Sequence, residues 1–187
     1  MRASALRAGG LIILVMAAAA FALHAMGRVW ICTCGRVRLW AGGVKTPDNS
    51  QQLADWYSFS HIIHGMIFYA LLRLALPKLA VRWRLLLAVI LECGWELLEN
   101  SPIIIDRYRA ATIAIGYTGD SVLNSMSDIT MMAIGFGLAQ KLPWKMTLGL
   151  ALAMEIGTLW LIRDNLTLNV LMLAWPIDAI RDWQAAL

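Results

Sequence analysis

Residues 56–76 read WYSFSHIIHGMIFYALLRLAL, an apolar run with two histidines set inside it. An α-helix rising ~1.5 Å per residue needs ~20 residues to cross ~30 Å of hydrocarbon, so this run has the length of a membrane span. Comparable apolar runs occupy residues 9–26, 85–105, 121–142 and 146–162. The 187-residue chain is 60% hydrophobic and 15% charged. A soluble domain runs nearer half apolar and a quarter charged. The pattern predicts an all-α fold, a polytopic transmembrane helix bundle of about five spans forming one domain over residues 1–187. Residues 165–187 hold a shorter apolar stretch cut by Pro176. A short re-entrant or interfacial helix is expected there, with a sixth span as the alternative. The first run is read as an uncleaved anchor, a cleaved signal peptide being the rival reading.

Residues 27–55 are more polar and contain Cys32, Cys34, Gly42, Gly43, Pro47 and Asp48. Trp30, Ile31, Leu39 and Trp40 within them predict a structured loop rather than a linker. The short connections decide orientation. Lys78, Arg82 and Arg84 follow the second run, Lys141 and Lys145 separate the fourth and fifth, and Arg2 and Arg7 precede the first. All three places fall on one side of a five-span arrangement, which the positive-inside rule makes cytoplasmic. The N-terminus is therefore expected in the cytoplasm of a bacterial inner membrane, with the 27–55 loop on the other side. The net charge of +4 and pI of about 9.2 are explained by these flanking residues, so no nucleic-acid partner is expected.

Ionisable residues inside spans cost ~2.5–3.5 kcal/mol each on insertion scales, so each calls for a reason. His61 and His64 lie three apart and share a helix face. Glu92, Glu96 and Glu99 step by four and three, with Asn100 beside them. Asp120, Asn124 and Asp128 step by four and four. Lipid would reject such stripes, so they are expected to face one another. The alternating directions of the spans put all three stripes near the non-cytoplasmic face. Arg107 and Arg109 fall in the loop beside them and are expected to act as anion clamps. Polar residues also join membrane helices by hydrogen bonds, and Asn124 and its neighbouring serines fit that role as well.

The chemistry this pattern permits is acid–base or metal-assisted. Glu96 and Glu99 are candidate catalytic carboxylates, His61 and His64 are proton shuttles or ligands, and Asp120 is a ligand or orienter. His61, His64, Glu96 and Asp120 are the candidate ligands of a divalent metal, the one cofactor the pattern suggests. Arg107, Arg109, Asn100, Asn124 and Asp128 are candidate binding residues. HIIH lacks the glutamate of HExxH, and neither a Gly-rich phosphate loop nor a Gly-x-Ser-x-Gly elbow is present. Cys32 and Cys34 are one residue apart, a spacing at which a mutual bond would be strained. A loop metal site or a redox pair is the functional alternative.

The runs CTCG, NSQ, DWYSFSHIIHG, WELLENS, RYR and GDSVLNSMSD resemble those of an uncharacterised family of small bacterial inner-membrane proteins. The order of His61, Glu96, Arg107, Asp120 and Asn124 also resembles, more distantly, the VanZ-like membrane family. That pattern lacks the CTCG loop. The first resemblance implies a membrane class, and the second implies an envelope role linked to glycopeptide tolerance. Together with the stripes they make the expectation a hydrolase or transferase acting on a lipid or envelope precursor. The alternatives are a non-catalytic binder of such a ligand and a small ion or proton pathway.

Overall fold

The computed structural model describes residues 2–112 and 116–186. Among them the chain forms eight α-helices and no strand: α1 (Arg2–Ala25), α2 (Ser58–Ala75), α3 (Val81–Glu99), α4 (Pro102–Ala111), α5 (Val122–Lys141), α6 (Trp144–Ile162), α7 (Leu166–Ala174) and α8 (Asp178–Ala185). Local sequence sets most of the boundaries. Gly27 takes φ +90° after α1, where a side chain would be strained. Pro77 and Pro143 follow the ends of α2 and α5 and cannot continue them. The Ser121 hydroxyl accepts the Asn124 N–H and starts α5, and the Asn165 side chain does the same for α7 through Leu168.

Four helices are both long enough and apolar enough to cross a membrane: 3–25, Ser58–Ala75, Val122–Lys141 and Trp144–Ile162. Five spans are expected from sequence, and the difference is α3. At 19 residues it has the length, but Arg82, Arg84 and three glutamates raise its charge above that of an ordinary span. It packs against α1, α2 and α5. Nor does it run to residue 105. It ends at Glu99 with Asn100 as its cap, and Pro102 opens α4 at the first helical position, which needs no N–H donor. Two short helices, α7 and α8, stand where one was expected, with Pro176 between them.

The usual inside-out arrangement of a soluble fold is reversed. Leu74, Ile103 and Trp160 are among many large apolar side chains left exposed, while Glu92, Glu96 and Ser125 are fully buried. That is the distribution of a protein whose solvent is lipid. The closest packing is between α2 and α5. A Cβ on Gly65 would fall 1.9 Å from the Met132 carbonyl oxygen, and one on Gly135 would fall 1.9 Å from that of Ile62. Reciprocal glycines let the two backbones touch. Beside this contact lies an apolar core of Met66, Tyr69, Ala88, Val89, Ile129, Met132 and Phe136.

Candidate functional site

One turn further along the same three helices, the packed faces become polar. His61 of α2 puts Nδ1 2.6 Å from Glu92 Oε1 and 3.6 Å from Glu96 Oε1, both on α3. His64 Nδ1 lies 3.1 Å from the same Glu92 oxygen. The other ring nitrogen of His61 lies 3.8 Å from Asp128 on α5, whose second oxygen accepts the Ser58 hydroxyl at 3.0 Å. The α2–α5 glycine contact explains this meeting, because His61 is one turn from Gly65 and Asp128 one turn from Met132. The three stripes converge as their spacing predicts.

Hydrogen bonding leaves part of this cluster unsatisfied. Glu96 is fully buried, and neither of its carboxylate oxygens has a hydrogen-bond partner. Glu92 Oε2 is buried without one as well. Buried polar atoms are normally paired, and an unpaired one costs ~1–3 kcal/mol, more when charged. Among the described residues, two sets of side chains in this cluster bring ligand atoms within 4.8 Å of one another: His61, His64 and Glu92, and His61, Glu96 and Glu99; a third, Cys32, Cys34 and Asp48, lies in the loop before α2. Imidazole nitrogens with carboxylate oxygens suit a divalent transition metal such as zinc or manganese.

A second polar tier lies above the first. Asn100 donates to Asp120 at 3.0 Å and accepts the Asp120 N–H at 2.6 Å, a closed pair joining the end of α3 to the start of α5. The Tyr117 hydroxyl donates to Asp120 at 2.9 Å. Burial pushes the Asp120 carboxyl up to about 6, against the lowering effect of its Tyr117 and Asn100 bonds. The Tyr108 hydroxyl lies 2.9 Å from Glu99 and 2.8 Å from Asn169 of α7. The Tyr57 hydroxyl donates to Asp164 at 3.1 Å, and burial raises that carboxyl to about 6. These groups surround a cavity of about 40 Å³ lined by His61, Glu99, Tyr108, Asp120, Asp128 and Asp164, among others. That is room for an ion or a few waters. Asn49, Tyr117 and Asp120 are shared with a vestibule of about 670 Å³, whose wall carries Arg28 and Lys45.

The expected residues divide into four groups. His61, His64, Glu92, Glu96 and Asp128 form the inner cluster, with Glu99 at its edge. Asp120 and Asn100 belong to the upper tier, and Asp120 is in neither ligand set. Asn124 donates to the Gln52 carbonyl at 2.8 Å, which fastens the 27–57 loop to α5. Arg107 and Arg109 are not arranged as anion clamps. Arg107 donates to the Leu173 carbonyl at 2.8 Å near the end of α7, and Arg109 donates to the Tyr117 carbonyl at 2.5 Å. Pro102 starts the new helix that carries both, and on it Arg109 also lies 3.7 Å from the Asp106 carboxylate. Tyr57, Ser58, Tyr117 and Asp164 were not expected at the site. Tyr57 and Ser58 find their partners 107 and 70 positions along the chain, whereas Tyr117 lies three residues before Asp120.

A bundle with lipid-length apolar helices and a buried histidine–carboxylate cluster defines a polytopic α-helical membrane protein. Within that class, the chain belongs to the family described as "Protein of unknown function (DUF2585)", which matches residues 23–186. A UPF0314 protein of Agrobacterium fabrum is 59% identical over 165 residues, covering 88% of this chain and 83% of that protein. One from Sphingopyxis alaskensis is 59% identical over 160 residues, covering 86% and 85%. Another, from Paracoccus denitrificans, is 53% identical over 174 residues, covering 93% and 90%. No solved structure matches the chain.

Proposed function

We propose that this protein is a metal- or carboxylate-dependent hydrolase or transferase of the bacterial inner membrane, acting on a lipid or envelope precursor at the non-cytoplasmic leaflet. The observation that carries this reading is the buried carboxylate of Glu96, whose oxygens make no hydrogen bond although His61 lies 3.6 Å away, beside the half-satisfied Glu92. Inert structural residues at that depth would be paired or apolar. His61 would hold a divalent cation either with His64 and Glu92 or with Glu96 and Glu99. Such a cation supplies Lewis-acid polarisation of a phosphoryl or carbonyl oxygen. Glu99 and Asp120 line the cavity and are placed to accept a proton from a hydroxyl or water entering it. The vestibule admits the headgroup, and Arg28 and Lys45 on its wall, which donate to the Thr118 and Ala185 carbonyls, lend it positive charge that favours an anionic one. The acyl chains would stay in lipid.

The second reading is a non-catalytic binder of the same ligand. The VanZ-like resemblance at His61, Glu96, Arg107, Asp120 and Asn124 supports it, and so does an inner cavity too small for a headgroup. An ion or proton pathway is less well supported. It would need polar groups through the inner half, and the carboxylate of Glu155 instead accepts the Leu166 and Thr167 N–H groups at the start of α7.

The test is turnover. The purified full chain in vesicles of anionic phospholipid with a polyprenyl diphosphate should release phosphate on addition of zinc or manganese, and His61→Ala should abolish that release. Binding of the polyprenyl diphosphate with no release under any metal would support the binder instead. Orientation is tested by reporter fusions: cytoplasmic reporters after Pro77 and Lys141 should be active, and one after Gly43 silent. The opposite pattern would move the site to the inner leaflet.

A further inference from the structure

Cys32 and Cys34 lie outside the cluster, in the loop between α1 and α2, and they are joined by a disulfide with Cα atoms 5.1 Å apart. The bond that the spacing disfavours is therefore made. The two sulfurs sit in unlike surroundings. Cys32 is buried, whereas Cys34 is exposed. The Cys34 backbone N–H points at Cys32 Sγ from 3.2 Å. Gln52, fully buried, sends its amide nitrogen to within 3.6 Å of Cys34 Sγ and its side-chain oxygen to the Arg38 N–H at 2.7 Å. Asp48 lies near Cys32, but Arg38 neutralises it at 2.8 Å. Four basic residues, Arg28, Arg36, Arg38 and Lys45, share this loop with only Asp48 and Asp55.

We propose that Cys32 and Cys34 are a redox-active pair that exchanges with external thiols and disulfides. The geometry assigns the two sulfurs different roles. An incoming thiolate attacks the exposed Cys34 Sγ. The bond between the two protein sulfurs breaks, a mixed disulfide forms at Cys34, and the electron pair leaves on Cys32 Sγ as a thiolate. The Cys34 N–H stabilises that thiolate, and the basic loop favours it. A second external thiolate attacks the external sulfur of the mixed disulfide, which releases the Cys34 thiolate and an external disulfide. Two thiols are oxidised, one protein disulfide is reduced, and the two protons released by the attacking thiols balance the two new protein thiolates. The partner class is a small-molecule or protein thiol–disulfide couple. Gln52 links the pair to the site, because its side chain touches Cys34 and its carbonyl accepts Asn124, which lines the inner cavity. A purely structural bond needs neither an exposed sulfur nor a donor aimed at the buried one.

The test uses the full chain in detergent, equilibrated with glutathione at stepped ratios of reduced to oxidised, quenched in acid and tagged with a mass-adding maleimide. A Cys93→Ser background removes the buried third thiol. Two tags should appear together as reduced glutathione rises, while the melting temperature shows the protein still folded. Oxidised glutathione should form an adduct with Cys32→Ser, which keeps the exposed sulfur, at least about tenfold faster than with Cys34→Ser, because access controls the rate. Tags that appear only once the protein unfolds would show a fixed structural bond and overturn the proposal. So would two tags at every ratio. Thiols protected from tagging by zinc alone, and not by oxidised glutathione, would replace exchange with a metal site.

Discussion

The two ends of α5 present the same face and opposite chemistry. Asn124 and Asp128 occupy that face on the first turns, and Met132 and Phe136 continue it at the same four-residue step. The switch recurs on α3, where Glu96 and Glu92 give way to Val89 and Ala88, and on α2, where His61 gives way to Gly65 and Tyr69. The apolar half is closed by packing. Its core atoms make dispersion contacts, and the buried atoms without a hydrogen-bond partner at that end include guanidinium nitrogens of Arg82 and Arg84, with Arg84 lying over the Tyr69 ring. In the polar half, helices are joined by hydrogen bonds at the upper tier, while Glu92 and Glu96 below keep oxygens with no hydrogen-bond partner. One half therefore holds the helices at the spacing the other half requires. A bundle needing only stability would carry the apolar face through.

The strongest way to break this comparison is to part α2 from α5. Gly135→Leu puts a side chain where a Cβ alone would lie 1.9 Å from the Ile62 carbonyl oxygen. Backbone cannot yield as a flexible side chain can, so the variant should fail to accumulate as folded protein. Normal yield and melting temperature would show that the close approach is not needed. Next in size is Phe136→Ala. Phe136 is 1% exposed and meets Tyr69 edge-on at 5.2 Å. The change should cost ~3–5 kcal/mol in denaturant unfolding and leave metal content per folded molecule unaltered. Metal lost in proportion to stability would mean that the halves are not separable.

A smaller effect is expected at the rim of the polar half. Burial raises the folded-state value of Asp164 from its ordinary 3.8 to about 6, so the folded protein holds this proton more tightly than the unfolded chain does. Its contribution to stability is therefore greatest below about pH 4 and is lost as pH rises through 6. Asp164→Asn should match wild type near pH 4, melt higher at pH 7 and show a flatter pH dependence between them. A variant that melts lower at pH 7 would mean that the ionised carboxylate is favoured by Tyr57 and the Asn165 N–H.

Much of the fold was legible because lipid imposes simple rules. Apolar runs of span length gave the long helices to within a few residues, except that α1 begins at Arg2, earlier than residue 9, and α3 ends at Glu99. The Ser101–Pro102 step carried a helix-start signal, but the apolar Ile103–Ile105 run after it made the span seem longer. The meeting of His61 with Glu96 and Asp128 was legible from spacing, since a polar stripe in lipid has to face inward. Glu92 lay in the same stripe and was passed over as a site residue, although it receives both histidines. What spacing does not encode is direction after a turn. Arg107 and Arg109 lie near the carboxylates in sequence and turn to carbonyls of α7 and of the 116–120 segment instead. The pairing of Tyr57 with Asp164, across 107 positions, exists only in the fold.

The measurement that tests the central claim most directly is Glu96→Gln, read for metal content and melting temperature on the same metal-loaded and chelator-treated samples. An amide keeps the shape of the carboxylate and removes its charge. If the unpartnered carboxylate is kept for a cation, the variant should lose bound zinc or manganese. Its chelator-treated form should melt at or above wild type, because a buried charge whose oxygens make no hydrogen bond has been removed. A variant that keeps its metal, or whose chelator-treated form melts well below wild type, would contradict the account.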